Sequence, residues 1–206
     1  MPQTEPLRPP LVIGAMLSMA FAQAIAAPLS VTVLDASGSP LANAVVSLEV
    51  AGGKPTAPPG TLAEMGQRER SFVPSLLVVQ TGTAVSFPNF DTVRHHIYSF
   101  SSTKPFEIKL YAGTPAAPVV FDKAGTAILG CNIHDRMTAF IHVVNTAHFA
   151  ITNQAGVAKL DVPAGDHTLQ VWHMQMGDKQ LPQRQGLKVQ AAGGTRVVQL
   201  GSASKP

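Results

Sequence analysis

Apolar and polar positions alternate with a period of two along most of this chain, the spacing of strands that bury one face. Residues 29–50, "LSVTVLDASGSPLANAVVSLEV", give two such segments around a "DASGSP" turn, which predicts a hairpin. "SLLVVQTGTAVSF" at 75–87 sets apolar runs on both sides of Gly82. "PFEIKLYAG" at 105–113 alternates Phe106, Ile108 and Leu110 with Glu107 and Lys109, so the first three are expected on the buried face. "PVVFDKAGTAILGC" (118–131) and "TAFIHVV" (138–144) predict further strands. Beyond Asn145, "FAITNQAGVAKLDVPAGDHTLQVWH" carries turn signals at 153–156 and 163–165, and His167 is assigned to a turn. The last predicted strand is "TRVVQL", with a loose tail at 202–206. Only a short turn around Thr61 to Gln67 reads as helical, and no fixed-period repeat is present. The pattern predicts an all-β protein.

Two stretches break the alternation. "AGGKPTAPPG" at 51–60 is rich in Gly and Pro and predicts a linker. At the start, Arg8 precedes the apolar run "LVIGAMLSMAFAQAIA", which ends in Ala24-Ile25-Ala26, a small-x-small cleavage pattern. Residues 1–26 are therefore expected to be a signal peptide cut after Ala26, and the protein to be periplasmic. The run of about 16 residues falls short of the ~20 needed to span a bilayer. No membrane span is expected after cleavage.

Charge narrows the function classes. Only 13% of residues are charged, the formal net charge is +3, and no basic run exceeds a pair. A nucleic-acid partner is not indicated. No Ser/His/Asp grouping, phosphate loop or paired-carboxylate site stands out, so the protein is not expected to be an enzyme.

The chain has 1 cysteine, Cys131, in "GCNIHDRM". An exported protein with a lone thiol cannot pair it within its own chain. His134 follows three residues later and Met137 six, giving C-x2-H-x2-M where a strand ends and a loop begins. Thiolate, imidazole and thioether together suit a copper ion that cycles between Cu(I) and Cu(II). Such a loop needs one more imidazole from elsewhere, and "VSFPNFDTVRHHIYSF" offers His95 or His96.

At these residues the chain resembles the cupredoxins, or blue copper proteins, most closely plastocyanin and amicyanin. "RSFVPSLLVVQTGTAVSFPN" is similar to the stretch before the first copper ligand, and the Cys131/His134/Met137 spacing is that of amicyanin. The family usually writes the first ligand His-Asn-Val after an upstream Asn. Here Asn89 precedes His95-His96-Ile97, which makes His95 the ligand and puts His96 in the place of the Asn, with His96 as the alternative. The resemblance implies a cupredoxin-like Greek-key β-sandwich over 61–146 holding one mononuclear type 1 copper. It implies Cys131 as thiolate and main electron path, His95 and His134 in the trigonal plane, and Met137 as weak axial ligand. Asp91, Asn89 and the backbone around Asn132 are candidates to orient those ligands.

The flanks resemble another family. "VTVLDASGSPLANAVVSLEV" and "ITNQAGVAKLDVPAGDHTLQVWH" are similar to the hairpins of carboxypeptidase-regulatory or transthyretin-like sandwiches. The implied organisation is a second sandwich built from 27–60 and 147–201, with the copper domain inserted between them. Among the remaining soft donors, "WHMQM" offers His173, Met174 and Met176, which are expected to be a strand end with exposed methionines. His142 and His148 are expected to be structural.

The function expected is single-electron transfer between redox proteins, with an amine-oxidising enzyme or a cytochrome as partner. The alternatives are a copper storage or handling protein, and a sugar- or partner-binding β-sandwich with an incidental metal site.

Overall fold

The computed structural model describes residues 26–115, 117–134 and 136–201. The expected signal peptide, apart from Ala26, and the expected loose tail at 202–206 lie outside the described residues. The described chain is built from strands, as the period-two pattern predicts. β1 (Ala26–Leu34) and β2 (Val45–Val50) come first. The middle stretch holds β3 (Leu62–Glu64), β4 (Gly66–Arg68), β5 (Ser71–Val73), β6 (Leu76–Gln80) and β7 (Thr83–Ser86). It continues with β8 (His95–Ser99), β9 (Phe106–Tyr111), β10 (Val119–Phe121), β11 (Gly125–Gly130) and β12 (Thr138–Val144). β13 (Phe149–Ile151), β14 (Val157–Pro163), β15 (Gly165–Trp172), β16 (Gln183–Val189) and β17 (Gly194–Gln199) close the chain.

The middle strands form a five-stranded sheet, β6-β12-β11-β8-β9, and a three-stranded sheet, β10-β7-β3. Phe72, Val85, Phe87, Ile97, Leu129 and Ile141 belong to the core they share. β12 runs parallel to β6, and β3 to β7. Parallel neighbours cannot be joined by a hairpin, so the chain must cross over between them. The first and last strands form two other sheets, β14-β1-β17 and β13-β2-β15-β16. These meet over a separate core that includes Leu29, Val31, Leu48, Leu160 and Leu169. Each such side chain contributes about 1.5–3 kcal/mol by leaving water. A smaller cluster of Val45, Leu76, Val144 and Trp172 takes residues from both pairs of sheets and joins them.

Turns follow the residue chemistry. In the predicted 153–156 turn, Asn153 Oδ1 accepts the N–H groups of Ala155 and Val157, each at 3.0 Å. Gly156 sits at φ 72°, and a Cβ there would lie 2.6 Å from the Val33 carbonyl oxygen. No other residue fits that position.

Four local expectations are corrected. The hairpin expected over 29–50 does not form, because β1 pairs with β14 and β17 while β2 pairs with β13 and β15 in a separate sheet. The helical reading of Thr61 to Gln67 fails because the segment is extended. Leu62 and Glu64 pair with Ala84 and Ser86, and Gln67 pairs with Phe72. A run that short cannot nucleate a helix against such pairing. In β9, Leu110 is 49% exposed, not buried. A register shift opposite His95 and Ile97 adds a residue to β9 and turns Tyr111 inward in its place. His167 lies inside β15 and pairs with both Val50 and Leu187, not in a turn.

Candidate metal centre

β8 enters the five-stranded sheet with His95, Ile97 and Ser99 on its inner side, and His95 is fully buried. A buried imidazole needs partners for its ring nitrogens. His95 Nε2 lies 2.7 Å from Asp91 Oδ2. A carboxylate only accepts, so Nε2 carries the proton and Nδ1 keeps a free lone pair. Nδ1 is buried and has no hydrogen-bond partner among the described residues.

The Asp91 carboxylate is itself fixed. It accepts the backbone N–H of Glu69 at 2.6 Å and of Arg70 at 2.9 Å. Those two residues form the tip of the β4–β5 hairpin, at φ 51° and 56°. The left-handed pair matches the twist of a two-residue hairpin and aims successive N–H groups at one anion. Burial works against the Asp91 charge. The N–H of Arg70, the His95 ring and the N–H of Glu69 outweigh it, and the carboxyl stays below its ordinary value. Asn89 closes the loop: Oδ1 accepts the Asp91 N–H at 2.9 Å, and Nδ2 donates to the carbonyls of Val93 and Tyr111.

Cys131 follows β11, and its side chain belongs to the same buried core as Met137. The loop after it turns back on itself, with the Met137 N–H donating to the His134 carbonyl at 2.9 Å. His134 is half-buried, whereas Asn132 and Ile133 are exposed at the turn. Its Nδ1 lies 3.8 Å from Cys131 Sγ. The rings of His95 and His134 are tilted at 59° with centroids 5.0 Å apart. One donor atom from each of His95, Cys131 and His134 falls within 4.8 Å of the others. A first-row ion with bonds of about 2.0–2.3 Å holds trigonal donors about 3.5–4 Å apart, so the three need close only slightly around one ion.

His96, the alternative to His95, is placed elsewhere. Successive strand residues face opposite ways, and His96 Nε2 meets Glu107 Oε1 at 2.8 Å while its ring leans on Tyr98. The structure thus gathers His95, Cys131 and His134, with Met137 buried in the core beside them. Of the candidates to orient the ligands, Asp91 and Asn89 are in place.

Tyr111 and Gln67, like Glu69 and Arg70, carry no signal of their place here in the sequence. Tyr111 donates its hydroxyl to the Phe87 carbonyl at 2.7 Å and accepts from Gln67 Nε2. Burial, reinforced by the neighbouring Cys131, pushes the Tyr111 pKa to about 12 against the Gln67 hydrogen bond. The phenol therefore stays protonated beside the thiol. Only the β9 register shift brings Tyr111 inward, and no local pattern signals it.

No family model matches the chain, and no curated protein does. Among solved structures, the chain is similar to amicyanin from Paracoccus versutus, with 12% identity over 48% of this chain and 96% of that one, at a TM-score of 0.34. A purple cupredoxin from Nitrosopumilus maritimus matches with 20% identity over 40% of this chain and 98% of that one, at 0.35. A copper-containing nitrite reductase from Thermus scotoductus matches with 25% identity over 46% of this chain but 25% of its own length, at 0.38.

The other soft donors are used in packing. His173 Nδ1 accepts the Gln175 N–H, and Met176 Sδ takes the His173 N–H at 3.4 Å. Met174 and Met176 are not exposed at a strand end as expected; they lie half-buried on a short 3-10 turn against the joining cluster. His148 Nδ1 is bonded to the Asp161 carbonyl and His167 Nε2 to that of Pro163. His142 Nδ1 lies 2.9 Å from Thr126 Oγ1. Among the described residues, no helix is long and apolar enough to cross a membrane.

Proposed function

We propose that this protein is an exported, periplasmic carrier of single electrons, with one copper ion held by His95, Cys131 and His134 and, more weakly, by Met137. The observation that carries this reading is His95. Its Nε2 is locked on Asp91, its Nδ1 is buried and bare, and its ring places a donor atom within 4.8 Å of one on Cys131 and one on His134. A buried acceptor without a partner costs about 1–3 kcal/mol, a cost a metal bond removes. Copper, when bound, would supply the one-electron couple, and the thiolate of Cys131 with two imidazoles suits both oxidation states.

The chain's own part is to hold its donors still. His95 stands on a sheet strand, and Cys131 and Met137 bracket a short loop whose ends are strands β11 and β12. His134, half-buried at that loop, offers electrons a way in or out. Residues 61–146 form the copper-bearing part within this reading, with 27–60 and 147–201 as a second sandwich around it. The partners would be redox proteins, a cytochrome or an amine-oxidising enzyme, and no substrate is transformed by the chain itself.

Addition of Cu(II) to the mature protein tests the proposal. An intense visible band from thiolate-to-Cu(II) charge transfer, lost in Cys131→Ser, is expected. A colourless complex that readily releases its metal would instead favour copper handling, and no binding at all would end the copper reading.

A further inference from the structure

We infer that Asp91 is a positioning residue whose negative charge, passed through His95, lowers the reduction potential of the metal centre. This rests on the copper reading above and goes beyond it by assigning the group that biases the two oxidation states.

The two imidazoles of the site are held differently. His95 Nε2 is in contact with Asp91 Oδ2, whereas among the described residues the His134 ring has one hydrogen-bond contact, from Nδ1 to Cys131 Sγ, and none to a carboxylate. An anionic acceptor on the outer nitrogen makes an imidazole a stronger donor through its inner one. A stronger donor favours the more highly charged ion, Cu(II), over Cu(I). The asymmetry therefore gives the site a preference that its ligand set alone does not.

Asp91 is built to stay charged and in place. Its oxygens accept two N–H groups from the Glu69–Arg70 hairpin tip, and Asn89 takes its own N–H. Both tip residues hold a left-handed backbone that non-glycine residues rarely adopt. Among the described residues no lysine or arginine forms an ion pair with Asp91, and its only ionic contact is His95. Arg68, two residues before the hairpin tip that grips Asp91, is laid over the Phe90 ring, 3.8 Å from its centroid. The negative charge is not cancelled before it reaches the imidazole.

Outer partners of this kind are worth about 10–100-fold in metal affinity. Each tenfold loss that falls on Cu(II) alone raises a one-electron potential by about 59 mV. The test is voltammetry on copper-loaded protein with its visible spectrum recorded alongside. In Asp91→Asn the oxygen facing His95 and Arg70 remains while the charge and the Glu69 bond go. The visible band should persist and the potential rise by at least that step. Asp91→Glu, which keeps the charge, should stay closer to the parent than Asp91→Asn. The double variant Glu69→Gly with Arg70→Gly, which keeps both N–H donors at positions glycine adopts freely, should leave the potential near the parent's. Should Asp91→Asn not fold, Asp91→Ser removes the same charge and is read in the same way. A visible band with an unchanged or lowered potential in the uncharged variant overturns the inference and leaves the copper reading standing. Absence of the band in the parent protein removes the copper reading itself.

Discussion

Trp172 lies flat on His142, their ring centroids 4.3 Å apart and the planes 13° from parallel. His142 belongs to β12, the strand that leaves the Cys131–Met137 loop, and Trp172 ends β15 in the other pair of sheets. The stack thus ties the strand behind the metal loop to the flanking part of the chain. Trp172 is 1% exposed, and its indole N–H donates to the Gly177 carbonyl at 3.1 Å.

This stack makes stability depend on pH. Burial pushes the His142 pKa down to about 4 from 6.5, so folding favours the neutral ring. Above pH 6.5 both folded and unfolded chains hold it neutral and its contribution is intact. As pH falls from about 6.5 to about 4 the unfolded chain takes the proton first, and stability falls by about 3 kcal/mol in all. The carboxyl of Asp91, held below its ordinary value, loses its contribution at still lower pH, in the same direction. Urea titrations of metal-free protein between pH 7.5 and 4 should show the loss, and His142→Gln should flatten it. An equal slope in both proteins would exclude His142 as the source.

Much of this architecture was legible because it is local. Alternation along β1 and β14 marks Leu29, Val31, Leu160 and Val162 as core without further information, since the side-chain period of a strand is two. Cys131, His134 and Met137 sit close together in sequence, so any fold of that loop keeps them near one another. What stayed hidden depends on contacts distant in sequence. The grip of Glu69 and Arg70 on Asp91 spans more than 20 residues and uses backbone N–H groups, which carry no residue signature. The exchange of Leu110 for Tyr111 on the inner face follows from one inserted residue, and alternation cannot anticipate its own interruption. The histidine pair shows the middle case. Alternation says that His95 and His96 face opposite ways, but not which one faces the thiol.

That pair gives a direct comparison. His95→Ala removes a fully buried ring that belongs to the donor cluster. His96→Ala removes one bonded to the exposed Glu107. Titration with Cu(II) followed by visible absorption should show the band lost or strongly altered in His95→Ala and retained in His96→Ala. The reverse pattern would move the site to the other face of β8.

Gly130, the residue before Cys131, is required for steric reasons. A Cβ there would lie 2.6 Å from Cζ and 2.7 Å from the hydroxyl of Tyr98, which covers it from β8. Gly130→Ala should cost about 1–3 kcal/mol by forcing the ring aside. Because the obstacle is the far end of a side chain, Gly130→Ala in a Tyr98→Ala background should cost much less. Chemical denaturation of the four proteins in this cycle measures the coupling. Additive effects would mean that Gly130 is needed for its backbone and not for the space above it.

Met137 separates packing from coordination. Its side chain is 2% exposed in the core shared with Cys131, so part of its role is to fill space whether or not copper is bound. Met137→Leu nearly conserves volume and should change the stability of the metal-free protein by less than about 1.5 kcal/mol. In the loaded protein the same change removes a thioether that favours Cu(I) only weakly as an axial donor. The thiolate band should survive, because Cys131, His95 and His134 remain, while the reduction potential shifts. Calorimetry on the metal-free form and voltammetry on the loaded form read the two roles independently. A potential that does not move would leave Met137 as packing alone and reduce the donor set to the three residues the structure gathers within 4.8 Å.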